Sequence, residues 1–258
     1  VALISPSFQD IEDKPDDLTR DELPMILFKG PLRNEPLVSF ENERLASEIV
    51  LEQVTEQERK SADDDATGNF VWPAAHAFAA HLCAHPELVR GRRVVELGAG
   101  TGLAGLVAAA LGAREVVLTD LAGTLPLLMR NLQRNAALTN GCARAVELRW
   151  GAGHGPGAEL ANFDVVIGCE LVYRHDADTA AALVESMIKL AGADGLCLFI
   201  YEFRGGLIED MEFFDRADEH FEVETQSLGS YGYGIPKDAD DDGDSWRMLY
   251  TYRPKGVS

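Results

Sequence analysis

From about residue 93 onward, short apolar runs alternate with stretches whose apolar positions recur every three or four residues. Period-two and unbroken apolar runs predict strands at 93–97, 115–119, 145–149, 163–167 and 196–201, and the longer period predicts helices at 103–111, 125–138 and 177–190. Apolar strands joined by helical crossovers pair in parallel and are covered on both faces. A helix from 207 to about 220 then leads into FEVETQSL, an acidic glycine-bearing loop through DADDDGDS, and WRMLYTYR, which predict two more strands in an antiparallel hairpin. The expected fold is therefore α/β: a Rossmann-like, seven-stranded sheet with helices on both faces and a C-terminal antiparallel hairpin.

Upstream the texture differs. Residues 1–66 are expected to form an acidic N-terminal arm, because PSFQDIEDKPDDLTRDE and EQVTEQERKSADDDATG are charge runs typical of solvated chain. Between them MILFKG and PLVSFENERLASEIVLEQ alternate, which predicts a short hairpin. The main domain is expected over 67–258, opening on the alanine-rich helix WPAAHAFAAHLCAH that Pro86 and Gly91 close.

Composition narrows the partners. With 258 residues and 46% apolar side chains, the chain can fold on its own core, without disulfide or metal. A formal charge of −20 disfavours phosphate backbones and anionic lipid surfaces, so neither nucleic acid nor membrane is expected. The acidity suits a cationic ligand or a basic protein surface. No apolar run approaches the roughly 18 to 20 residues of a membrane span. Four cysteines without a CxxC pair predict a reducing compartment, cytosolic or nuclear.

The candidate chemistry sits in VVELGAGTGLAG, where a strand runs into Gly98, Gly100, Gly102 and Gly105 and then into a helix. Bare backbone at such a turn lets a ligand approach the helix N-terminus. GxGxxG fits a dinucleotide as well as other nucleosides, so the neighbours decide. Glu96 makes the pattern ExGxGxG and is expected at the mouth of the first strand. A carboxylate there suits an ammonium and a sulfonium better than a pyrophosphate. Asp120 closes the second strand, where a carboxylate can accept hydrogen bonds from both ribose hydroxyls.

ELGAGTGLAG resembles motif I of the class I, seven-strand methyltransferases that use S-adenosylmethionine (SAM), and the predicted terminal hairpin agrees with that fold. GNFVWPAA, LTD, RNLQRNA, ELRWG and CELVY together resemble methyltransferase family 16 over roughly residues 67–253. Its members are mostly protein-lysine methyltransferases acting on translation factors, chaperones and an ATPase. The resemblance implies SAM as cofactor, with S-adenosylhomocysteine (SAH) as product, and puts Trp72, Gly98, Ala99, Gly100, Asp120, Trp150 and Cys169 around it, with Glu96 and Gly102 completing the motif. Trp72 is placed to cover the methionine end of the cofactor and Trp150 to bracket its adenine. The position after the fourth strand usually reads DxxY in this family; here it is Glu170 and Tyr173, which are assigned to catalysis at the transferring methyl. Tyr201, Glu202 and Arg204 after the fifth strand are assigned to the substrate channel, an Arg204–Glu202 surface pair being the plainer alternative. Lysine methylation of a protein by a monomeric enzyme is the leading expectation. The rivals are methylation of a histidine, a terminus or a small metabolite, a dehydrogenase, and, from another class, a non-catalytic partner-binding module.

Two further patterns are set aside. HLCAH places His81 and His85 on one helix face, but it lacks the glutamate of HExxH and no metal is expected; both are expected to be exposed. Cys169 follows a buried strand and reads as a small side chain beside the cofactor rather than a nucleophile.

Overall fold

A computed structural model describes residues 35–55, 67–151, 153, 155, 157–173, 175–202, 207–228 and 247–256. β1 (Leu37–Phe40) and β2 (Ile49–Glu52) form an antiparallel hairpin. The second of the two segments expected to pair thus folds back on itself; MILFKG lies outside the described residues. A 3-10 turn (Thr67–Asn69) leads to α1 (Pro73–Ala84), which opens with proline in its first turn, where its missing N–H removes no bond.

The main sheet contains β3 (Arg93–Leu97), β4 (Glu115–Asp120), β5 (Ala143–Glu147), β6 (Phe163–Cys169), β7 (Ala191–Glu202), β8 (Phe221–Ser227) and β9 (Arg247–Pro254). Their order is β5-β4-β3-β6-β7-β9-β8, parallel except where β9 joins β7 and β8. The connecting helices are α2 (Leu103–Ala110), α3 (Leu125–Arg134), α4 (Ala136–Thr139), α5 (Ala177–Leu190) and α6 (Leu207–His220). α5 starts where the Asp176 side chain accepts a hydrogen bond from the Thr179 N–H at 2.8 Å, an acidic cap at the positive end of the helix.

The two faces of the sheet follow from strand alternation. Val94, Val165, Ile167, Leu198 and Ile200 face the layer of α1 and α2, and Val38, Phe40, Ile49 and Leu51 of the hairpin belong to that same buried cluster. Val95, Leu97, Val166, Phe199 and Tyr201 face α5 and α6. On that second face Phe199, Phe213, Phe214, Tyr250 and Tyr252 make edge and stacked ring contacts at centroid separations of 5.0 to 6.3 Å.

Three expectations shift. The third parallel strand covers 143–147 instead of 145–149: the Leu148 N–H makes the last rung, to the Asp120 carbonyl at 2.9 Å, where β4 itself ends. The helix expected over 125–138 breaks at Asn135, whose φ of −102° and ψ of 18° leave the helical region. β7 begins at Ala191 instead of 196, because Ala191 pairs with Phe163 before the register slips.

Candidate active site

Strand register alone lines up the sequence-selected residues along one edge of the sheet. Leu97 pairs with Gly168, which sets Gly98 beside Cys169; Glu96 pairs with Leu118, which sets Gly98 beside Asp120. Cys169 pairs with Ile200, and the Glu170 N–H donates to the Ile200 carbonyl at 3.1 Å, which sets Glu170 beside Tyr201. This is the carboxyl edge of the parallel strands, where open α/β sheets bind ligands.

Gly98, Gly100 and Gly102 take φ of 54°, 54° and 89°, a region that side chains rarely adopt. At Gly98 space is also short: a Cβ would stand 2.5 Å from Leu171 Cδ2 and 3.6 Å from Trp150 Cζ2. Three of the loop's donors are engaged within the protein. Ala99 N–H donates to the Thr119 carbonyl (2.9 Å), Gly100 N–H to Asp120 Oδ2 (2.7 Å) and Gly102 N–H to the Ala99 carbonyl (2.7 Å). Asp120 Oδ1 accepts from the Leu121 N–H at 2.7 Å, so one carboxylate fixes the glycine loop relative to the end of β4.

Glu96 does not stand at the mouth of the strand. It shares a face with Val94, and that alternation turns it beneath α2, where it is 2% exposed and Oε2 accepts from the Gly105 N–H at 2.9 Å. A Cβ at Gly105 would meet that oxygen at 2.5 Å, which explains the fourth glycine. Burial pushes the Glu96 carboxyl up to about 8, opposed by the Gly105 bond and assisted by the nearby Asp120 charge. Glu96 acts on the loop from below.

Trp72 caps α1 without a side-chain bond to it; its indole N–H donates to the Thr67 carbonyl at 2.8 Å. Trp150 is half-buried, edge-on to His175 at 5.6 Å, and lies against Gly98. Cys169 and Tyr173 are half-buried at the same edge. Glu170 holds φ 58°, an unusual conformation for a non-glycine residue and one that clusters at functional sites.

The substrate-side expectations fare differently. Tyr201 is 5% exposed, and its hydroxyl donates to Asp210 Oδ2 of α6 at 2.7 Å, so it points into the α6 layer instead of an open channel. Burial, with Asp210 adjoining, holds its phenol well above the ordinary range. Glu202 faces the other way and accepts from Arg247 Nε of β9 at 3.1 Å; Arg204 lies outside the described residues. His81 is also corrected: it is 6% exposed, and burial, reinforced by the neighbouring His85 charge, lowers it to about 4. His85 remains exposed beside Glu87 at 3.3 Å.

Sequence reasoning missed Asn131, which joins the loop to the N-terminal hairpin, and Asp210. The recurrence of asparagine at i and i+4 in RNLQRNA was the available signal for the first; Asp210 carried none.

Comparison with known proteins supplies the family. The family model described as lysine methyltransferase (methyltransferase family 16) matches residues 53–220. Protein-lysine methyltransferase METTL21E of Mus musculus is 32% identical over 62% of this chain and 66% of its own length. Protein N-terminal and lysine N-methyltransferase EFM7 of Eremothecium gossypii is 36% identical over 59% and 62%, and EEF1A lysine methyltransferase 3 of Mus musculus is 31% identical over 60% and 64%. The matches thus span just under two thirds of these relatives. Among solved structures, a 16S rRNA methyltransferase of T. thermophilus in complex with AdoMet and guanosine superposes with a TM-score of 0.51 at 21% identity, over 85% of this chain and 51% of that one, which shows the fold. The sheet order, the glycine loop and the family match agree, and the chain belongs to the lysine methyltransferase family 16, on a class I methyltransferase fold.

Proposed function

We propose that this protein transfers a methyl group from SAM to the ε-amine of a lysine in a protein substrate. The observation that carries the reading is the bonding of the glycine loop. A pyrophosphate needs free loop N–H groups, and those of Ala99, Gly100, Gly102 and Gly105 are already engaged by Thr119, Asp120, Ala99 and Glu96. A loop with these donors engaged, flanked by Asp120 and Glu170, fits a cationic nucleoside. SAM has that charge, and its ribose hydroxyls match an acid at the end of β4. Gly98, Ala99, Gly100 and Gly102 would hold it from the loop, with Asp120, Trp72, Trp150 and Cys169 around it.

When bound, SAM supplies an electrophilic methyl group on a positively charged sulfur. The protein's own part is to bring an amine into line and keep it unprotonated. A lysine with a pKa near 10.4 is almost wholly protonated at neutral pH. Desolvation of the amine on docking would lower that pKa, with its proton released to solvent; Glu170, whose charge favours the ammonium form, would orient the amine and Tyr173 would hydrogen-bond to it. Glu202, bonded to Arg247, would flank the approach to Glu170 and Tyr173.

The named activities of the relatives, on EEF1A and calmodulin among others, support a protein substrate. The four cysteines, none in a disulfide, support action in the cytosol or nucleus. Methylation of a protein N-terminus is the second reading, favoured by the activity named for EFM7. The test is incubation of the protein with a cell lysate and SAM carrying a heavy methyl group, followed by mass spectrometry. Heavy methyl-lysine is the expected product. Label on an N-terminal amine selects the second reading, and label confined to small molecules overturns both.

A further inference from the structure

Two asparagines on α3 take the place of a neighbouring strand for the hairpin. Asn131 and Asn135 are four apart, so they lie on one helix face about 6 Å apart along the axis, close to the two-residue step of a strand. The Glu52 N–H donates to Asn131 Oδ1 (2.7 Å), and Asn131 Nδ2 donates back to the Glu52 carbonyl (3.1 Å). Val50 makes the same exchange with Asn135, at 3.0 and 2.8 Å. Both outer-edge residues of β2 are thereby satisfied by side chains.

Asn131 does one thing that Asn135 does not. Its amide nitrogen also donates to the carbonyl of Thr101, in the middle of the glycine loop, at 3.0 Å. An amide nitrogen has two hydrogens, and Asn131, fully buried, directs them to Glu52 and to Thr101. Beyond Glu52 the hairpin strand reaches the loop by a second route. Gln53 accepts from the Val71 N–H (2.7 Å), and the Val54 N–H donates to the Asn69 carbonyl (3.2 Å). These bonds hold the turn that contains Gly68, whose carbonyl lies 3.1 Å from where a Gly100 Cβ would be.

We propose that Asn131 is a positioning residue for the cofactor loop: it clamps Thr101 to the N-terminal hairpin, so that hairpin and loop respond together when the cofactor binds. The proposal rests on reading the loop as the SAM site. An aspartate has the same shape but no donor, so Asn131→Asp leaves the Thr101 and Glu52 carbonyls without their partner and adds a repelling charge. Asn135→Asp breaks the equivalent hold on Val50 without touching the loop.

The test uses the full chain and SAH as probe. Both variants should melt earlier than the wild type. Calorimetric titration should show SAH binding weakened by about tenfold or more in Asn131→Asp and left within about twofold in Asn135→Asp. Equal losses of affinity in the two variants overturn the proposal, because general destabilisation would then suffice. In case Asn131→Asp fails to fold, amide hydrogen exchange on the wild type decides: SAH should slow exchange of the Glu52 N–H, which donates into Asn131, and leave the Arg44 N–H at the far end of the hairpin unchanged. SAH that binds without slowing Glu52 sinks the clamp alone. Failure of the wild type to bind SAH at all removes the cofactor reading, and the clamp with it.

Discussion

At the carboxyl edge of β3 and β4, around the glycine loop, side chains bond to main chain: Glu96 to Gly105, Asp120 to Gly100 and Leu121, and Asn131 to Thr101. At the β7–β9 end two pairs of side chains bond to each other, Tyr201 to Asp210 in the aromatic layer beneath α6 and Glu202 to Arg247 on the opposite face. A bond to main chain fixes the shape of a loop, whereas a bond between side chains fixes the packing of elements. The first end should therefore lose cofactor affinity when altered, and the second should lose stability with affinity intact.

The largest expected effect breaks the loop itself. Gly98→Ala forces a side chain into positive φ against Leu171, combining a left-handed penalty of roughly 1–2 kcal/mol with overpacking of roughly 1–3. Calorimetry should find SAH binding lost or severely weakened. Undiminished binding would mean that the loop is not the cofactor site.

Asp120→Ala comes next. It removes the acceptor for the Gly100 and Leu121 N–H groups along with the proposed ribose contact, and should weaken SAH by roughly 1–3 kcal/mol. The variant should stay folded by circular dichroism. An unchanged dissociation constant would refute the role of Asp120.

Glu96 gives the same end a pH signature. Its carboxyl is raised from 4.5 to about 8, so between those values the folded protein holds a proton that the unfolded chain has released, and stability falls as pH rises. His76 and His81, both lowered to about 4 by burial, act oppositely, and because the unfolded histidines are still half protonated at 6.5 they return about 0.4 kcal/mol each on the way to 8. Glu96 loses about 1.5 kcal/mol across that window, so the expected net loss is somewhat under about 1 kcal/mol. Urea denaturation at both pH values checks this, and Glu96→Gln should turn the loss into a small gain. A wild type no less stable at pH 8 than at 6.5 contradicts the buried, protonated acid.

At the other end, Tyr201→Phe removes one buried hydrogen bond to Asp210 and should lower stability by about 1 kcal/mol, with SAH affinity within about twofold. A loss of affinity larger than the loss of stability would erase the contrast between the two ends.

The same contrast explains what the chain discloses before it is folded. Element bounds set by local signals were readable: proline and Asp176 at helix starts, and positive φ at Gly98, Gly100 and Gly102, all reside in the residues concerned. The inward turn of Glu96 and of Tyr201 was also implicit in strand alternation, since Glu96 shares a face with Val94 and Tyr201 with Phe199. The partners were not. Asp210, Arg247, Glu52 and Thr101 are brought in by helix docking and strand pairing across 9 to 79 positions, and no local pattern encodes such a match. His81 was misjudged for a related reason. Its alanine-rich helix packs closely enough that Ala77, Ala80 and even the histidine near its end are covered.

The smallest effect sharpens the comparison most. Arg247 and Glu202 are cross-strand partners in β9 and β7, with side chains 12% and 18% exposed, so their pairing is better shielded than a surface ion pair but not fully desolvated. Arg247→Met keeps the aliphatic stem over the sheet and removes the charge, so only the pairing is deleted. The expected loss is about 0.5–1 kcal/mol in urea denaturation, with SAH binding unchanged. If Glu202 guides a lysine toward Glu170, freeing it from Arg247 should also raise KM for the protein substrate while kcat stays constant, because the defect lies in approach and not in transfer. A fall in kcat at constant KM would move Glu202 from the channel wall to the reacting amine.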